Sequence, residues 1–206
     1  MEDNNSKEVL LSILGVAVLI IAVIGISFAA FNFSQTGAKE NKITTGRLSM
    51  SYSEDTNGIS LENALPISDE AGKALINSNE IFDFTVDAII EDGDANTVID
   101  YAITAVKVDE ATTLDDSAVK VYLTNIDTST EVPVLEPTKL SLVEKTTSSE
   151  LSSAPSGEFK LATGKLNDSA THKYRLRMWV ADDYSAGGTS ATYQLKVNVY
   201  GAAQAQ

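Results

Sequence analysis

Carboxylates dominate the groups in this chain that could do chemistry: 29 Asp and Glu stand against 15 Lys and Arg, one His and no Cys. The single His is His172, so a Ser-His-Asp triad or a histidine-built zinc site has at most one imidazole to draw on. No H-E-x-x-H motif occurs, and His172, at the start of a strand-like segment, reads as a surface residue. The lack of Cys excludes disulfides and thiolate zinc ligation. In Glu91-Asp92-Gly93-Asp94-Ala95-Asn96, the side chains of Asp92, Asp94 and Asn96 stand at alternate positions, as in calcium loops. The sixth-position Gly and closing Glu of an EF-hand are missing, and Asp-Gly between two strand patterns equally suits a hairpin turn. Paired carboxylates are the chemistry of glycoside hydrolysis, but nothing marks one pair. There is no phosphate-cradling Gly-rich loop and no nucleophile elbow. No catalytic residue and no cofactor is assigned, and the chain reads as a non-enzyme.

Two other groups suit recognition. Arg175, Arg177 and Trp179 alternate with Tyr174, Leu176 and Met178, so one strand carries two cations and the only Trp on a single face. Trp and Arg are enriched at interface hot spots, which makes this face a candidate subunit contact; cover by a loop of the same subunit is the other reading. Ala30–Gly37 (AFNFSQTG) places Phe31 and Phe33 on one side of an extended segment. Leaving two Phe side chains in water forgoes about 1.5–3 kcal/mol each. They either fold back into their own domain or add as a strand to a neighbouring subunit, and such a head-to-tail contact, repeated, makes a filament.

The elements that must position these groups are strands. After Gly37, apolar residues recur with period two between turn residues. Leu48, Met50 and Tyr52 form one set, and Phe82, Phe84, Val86, Ala88 and Ile90 another. Ile99, Tyr101, Ile103 and Ala105 follow, and a slip to Val106 and Val108 suggests a β-bulge. Val119, Val121 and Leu123, then Phe159 and Leu161, then Tyr174 to Val180, then Leu195, Val197 and Val199 complete the series. The pattern predicts an all-β domain over 46–201, an antiparallel jelly-roll-like β-sandwich, with a short helix near Asp69–Leu75. Lys145–Gly157 reads as an exposed loop, and 202–206 as a flexible tail.

From Val9 to Phe31 no residue is charged, and about 20 apolar residues span a bilayer. Residues 1–29 therefore read as a signal peptide or a transmembrane segment, a single hydrophobic helix ahead of the domain. Ser27-Phe28-Ala29 has small residues where a signal peptidase needs them, placing a cut between Ala29 and Ala30. One Lys precedes the span and Lys39, Lys42 and Arg47 follow it, a distribution that taken alone favours an inside domain. The net charge of −14 argues against nucleic acid as a partner, because a polyanion is bound through a basic patch.

Phe28-Ala29-Ala30-Phe31-Asn32, then Thr44-Thr45-Gly46-Arg47-Leu48-Ser49-Met50-Ser51, then Ile59-Ser60-Leu61-Glu62-Asn63-Ala64-Leu65-Pro66, then Ile81-Phe82-Asp83-Phe84-Thr85-Val86 resembles the TasA/camelysin family of Gram-positive bacteria, in order and spacing over about residues 10–105. The resemblance implies a secreted jelly-roll protein, cut at Ala29–Ala30, whose subunits polymerise into extracellular matrix fibres through an N-terminal donor strand holding Phe31 and Phe33. The expectation is a structural subunit of a bacterial extracellular filament or biofilm matrix. Its partners are copies of itself, the signal peptidase, and the membrane through residues 9–31. Residues 30–45 are the candidate donor segment. The alternatives are a membrane-anchored surface binding module that does not polymerise and, further off, a metallopeptidase.

Overall fold

The computed structural model describes residues 16, 32–36, 41–45, 48–54, 59, 64–90, 97–108, 112–185 and 191–205. The expected N-terminal hydrophobic helix lies outside these apart from Val16; among the described residues no helix is long and apolar enough to cross a membrane. The described elements are strands β1 (Asn32–Thr36), β2 (Asn41–Thr45), β3 (Leu48–Glu54), β4 (Ile81–Ile90), β5 (Thr97–Lys107), β6 (Val119–Asn125), β7 (Val132–Lys139), β8 (Phe159–Leu166), β9 (Ala170–Val180) and β10 (Leu195–Ala205), with one short helix, α1 (Asp69–Lys73). All strand pairings are antiparallel. One sheet has the order β1-β10-β5-β8 and the other β2-β3-β4-β9-β6-β7.

The all-β expectation holds, and the period-two sets explain why. Met50 and Tyr52 of β3, Phe84, Val86 and Ala88 of β4, and Val121 and Leu123 of β6 are buried on the inner face of the six-stranded sheet. Ile99, Tyr101 and Ile103 of β5 and Val197 and Val199 of β10 meet them from the other sheet in one continuous core. The sheets also touch at polar atoms: the Tyr101 and Tyr174 hydroxyls are 2.8 Å apart within the core. Burial of the Tyr174 phenol, with this hydrogen bond, raises its pKa.

Four expectations need correction. The bulge is not at Ala105–Val106. β5 pairs with β10 without a break from Lys107–Leu195 to Thr97–Ala205. The shift lies between Ile103 and Thr104 against β8, where Leu161 has no rung partner. The apolar residues run out of phase because β5 is covered on both faces, with Ala102 and Thr104 fully buried on the outer side. Residues 202–205 are not a frayed tail: they continue β10, laddered to β5 by small residues that fit a covered sheet. Lys145–Gly157 is not simply exposed. Ala154 packs on Ala102 and Tyr200, and Thr146 and Ser152 are buried, so the loop covers the outer face of the four-stranded sheet. Finally, β4 and β5 belong to different sheets and do not pair with each other, so they are not the two arms of a hairpin.

Close packing leaves room only for Gly at some rungs. A Cβ on Gly164 would stand 2.5 Å from Cε1 of Tyr101, its rung partner. Gly164→Ala is expected to displace the Tyr101 ring from Tyr174 and cost about 1–3 kcal/mol, read as a lower urea midpoint at an unchanged slope.

Candidate assembly edge and the covered cationic face

β1 is the first described strand and lies on the edge of the four-stranded sheet, paired only with β10. The register sets Asn32 across from Ala202, Phe33 from Gly201, Ser34 from Tyr200, Gln35 from Val199 and Thr36 from Asn198. Gly201 is on the core face, where a Cβ would meet the Met50 sulfur of the facing sheet at 2.3 Å. The chain then passes to β2, the edge of the other sheet. One N-terminal arm therefore supplies an edge strand to both layers. Ala29, Ala30 and Phe31 lie outside the described residues; of the candidate donor segment, β1 and β2 are seen paired within their own chain.

The remaining two edges are protected. β7 contains Pro133 and Pro137, each without an N–H to offer a further strand. β8 carries the bulge, and its first residues are flanked by 144–145: Lys160 N–H donates to the Glu144 carbonyl, and Lys145 bridges to Phe159. Lifting β1 away would bare one side of β10 from Asn198 to Ala202, while its ladder to β5 stays unbroken.

The Arg175, Arg177 and Trp179 face is on the outer side of β9, as the alternation predicts, but it is not open to a partner. Arg177 and Trp179 are each 2% exposed. The segment 64–80 lies over them, which corrects the expected exposed contact surface. Arg177 makes a bidentate pair with Glu131 (Nη1–Oε2 2.7 Å, Nη2–Oε1 2.9 Å), and its Nε donates to the Leu75 carbonyl at 2.7 Å. Arg175 is held by both oxygens of Asp83 at 2.7 Å and by Glu131 at 3.1 Å. The Trp179 ring fills the space above Gly72 of α1, where a Cβ would lie 2.3 Å from Cε2. Lys120 ties the same segment down through Asp69 at 2.7 Å and also pairs with Asp182 at 3.1 Å. Desolvated guanidinium groups need such partners. One partner was legible: Asp83 and Arg175 are rung neighbours on the outward phase of β4 and β9. Glu131 was not, because β7 lacks the alternation that would have marked its neighbourhood.

His172 is half-buried, its Nδ1 2.7 Å from Asp127 Oδ2. The calcium candidates Asp92, Asp94 and Asn96 lie outside the described residues, and among the described residues no three or more His, Cys, Asp or Glu converge on one point. No family model, no curated protein and no solved structure matches this chain.

The Arg177 guanidinium, with Thr124 and Arg175, holds the Glu131 carboxyl near a pKa of about 2, against an ordinary 4.5. A depressed carboxyl stabilises the fold fully above pH 4.5, and that contribution is lost as pH falls toward 2. Glu131→Gln is therefore expected to lower stability at neutral pH and to flatten its fall between pH 4.5 and 2 in acid-unfolding curves followed by Trp179 fluorescence. Arg177→Ala leaves Glu131 without its bidentate partner and is expected to cost about 3–5 kcal/mol in urea unfolding.

Proposed function

We propose that the protein is a structural subunit of a bacterial extracellular filament or surface matrix, with a jelly-roll-like sandwich, assembled by exchange of the N-terminal strand between subunits. The observation that carries this reading is the placement of β1. It is an edge strand at the start of the described domain, and its ladder is made only with the last strand, β10. A strand so placed can leave its own β10 and take the same five rungs on the β10 of a neighbour. Frequent crossing of the chain between the two sheets agrees with the jelly-roll reading. The uncharged stretch from Val9 to Phe31 agrees with export, and the resemblance of its short motifs to those of the TasA/camelysin family points the same way. On this reading the cut between Ala29 and Ala30 frees Phe31 and Phe33 for the neighbour.

A membrane-anchored module is the second reading, favoured by the same stretch if it is never removed. The N-terminal residue of the protein recovered outside the cell separates the two: Ala30 supports exchange, and Met1 found only in membranes supports an anchor.

Exchange itself is testable because the chain has no Cys. Asn32→Cys with Ala202→Cys places two thiols on one rung. After assembly and oxidation, the exchanged form gives a ladder of covalent oligomers on a non-reducing gel. A crosslink confined to monomers in preparations that contain fibres would sink the proposal. Deletion of 30–37 is expected to leave a folded monomer that forms no fibres.

A further inference from the structure

A hydroxyl, a carboxamide and a carboxylate meet beneath the loop that covers the four-stranded sheet. Thr104 and Asn198 are rung partners of β5 and β10, and both are buried. Directly opposed cross-strand residues have Cβ atoms about 4.5–5.5 Å apart. The carboxylate belongs to Glu158, at the start of β8. Thr104 Oγ1 donates to Glu158 Oε2. Asn198 Nδ2 lies 3.4 Å from both Glu158 oxygens, and the Tyr200 hydroxyl donates to Oε1 at 2.8 Å. The Asn198 carbonyl oxygen is buried without a hydrogen-bond partner. A native protein leaves few buried polar atoms in that condition.

These are the parts of an acyl transfer: a hydroxyl on a base, and a carboxamide opposite it in a site with little water. The fold holds them together, replacing a bimolecular encounter with a fixed geometry. We propose that Thr104 and Asn198 become joined by an intramolecular ester, formed once per chain, with Glu158 carrying the proton. Glu158 takes the hydroxyl proton as Thr104 Oγ1 attacks Asn198 Cγ. The Oγ1–Cγ bond forms, the Cγ–Nδ2 bond breaks, and Glu158 returns the proton to the departing nitrogen, which leaves as ammonia. Nothing is oxidised or reduced, and no co-reactant is needed. Tyr200 fixes the second carboxylate oxygen. Glu158 also lines a cleft of about 330 Å³ with Lys107, Lys145 and Gly157, which provides an exit for ammonia. The ester has no N–H donors to satisfy and is a weaker acceptor than the amide, so it suits a buried site better.

The bond would staple the last strand to the middle of its sheet in a chain that has no disulfide. It holds whether or not subunits polymerise, since its groups all lie within one domain. The test is the mass of the wild-type full chain and its tryptic peptides. The expected result is a deficit of one ammonia and a linked pair of peptides, 74–107 with 197–206, separated by alkaline hydroxylamine. Thr104→Ser keeps the link; Thr104→Val and Glu158→Gln lose it and regain the full mass. Unlinked wild-type peptides overturn the proposal, and that outcome requires no variant to fold. A link that persists in Thr104→Val or in Glu158→Gln also overturns it. Fibre formation does not enter any of these readouts.

Discussion

A sheet must end somewhere, and in this protein the handling of edges organises everything else. Backbone N–H and C=O groups on an outer strand invite another strand, and two open sheets present four such strands. Prolines close the β7 edge, and a bulge with a flanking segment closes the β8 edge. The other two edges are β1 and β2 themselves, consecutive pieces of one arm. β10 is consequently interior only as long as β1 lies beside it. The core-facing side of β10 has no freedom to compensate, because Gly201 is packed against Met50 of the opposite sheet.

The outer faces follow a second rule. β9 in one sheet and β5 and β10 in the other are buried on both sides, so the chain spends long connections as covers. Segment 64–80 lies over β9 and segment 143–158 over β5 and β10. Polar groups lie beneath each cover beside apolar ones such as Trp179 and Ala102. Under the first are Arg177, Arg175 and Glu131; under the second are Thr104, Asn198 and Glu158. Polar groups withdrawn from water require nearly full hydrogen bonding. Each cover is thus positioned by the groups it hides: Arg177 reaches the Leu75 carbonyl, and Thr146 at the base of the second loop donates to the Pro155 carbonyl and accepts from the Glu158 N–H.

This two-sided burial decides what was legible in the sequence. Strands with one polar face were clear: the buried positions 84, 86 and 88 of β4 alternate as the period-two reading requires. β5 and β9 show in the local pattern, but the burial of their second faces does not, because Arg, Trp and Thr look outward-facing in any window. Whether an outward face meets water depends on a connection dozens of residues away, which no window along the chain can register. β7 was missed outright, since VPVLEPTK carries two prolines and exposed valines, a pattern that fits only an edge. The tail gives no strand signal because its Ala residues have low strand propensity, and the ladder to β5 overrides it. For the assembly edge, the arm's apolar Phe residues were visible in the sequence, but its pairing with the chain's last strand was a long-range fact.

The energetics of the arm then turn on linkage and not on contacts. Taking β1 from one β10 to another breaks and remakes the same backbone bonds, each worth about 0.5–1.5 kcal/mol net, so the ladder term nearly cancels. What remains is the competition between an intramolecular partner, whose effective concentration depends on the length of the connection, and the same strand of a neighbouring subunit. Only residues 37–40 lie between β1 and β2, and these strands belong to opposite sheets, which pack about 10 Å apart. A connection this short favours the intramolecular pair only if it spans the gap without strain. On the strand-exchange reading, the length of this connection bears on whether β10 is completed by its own chain or by the next.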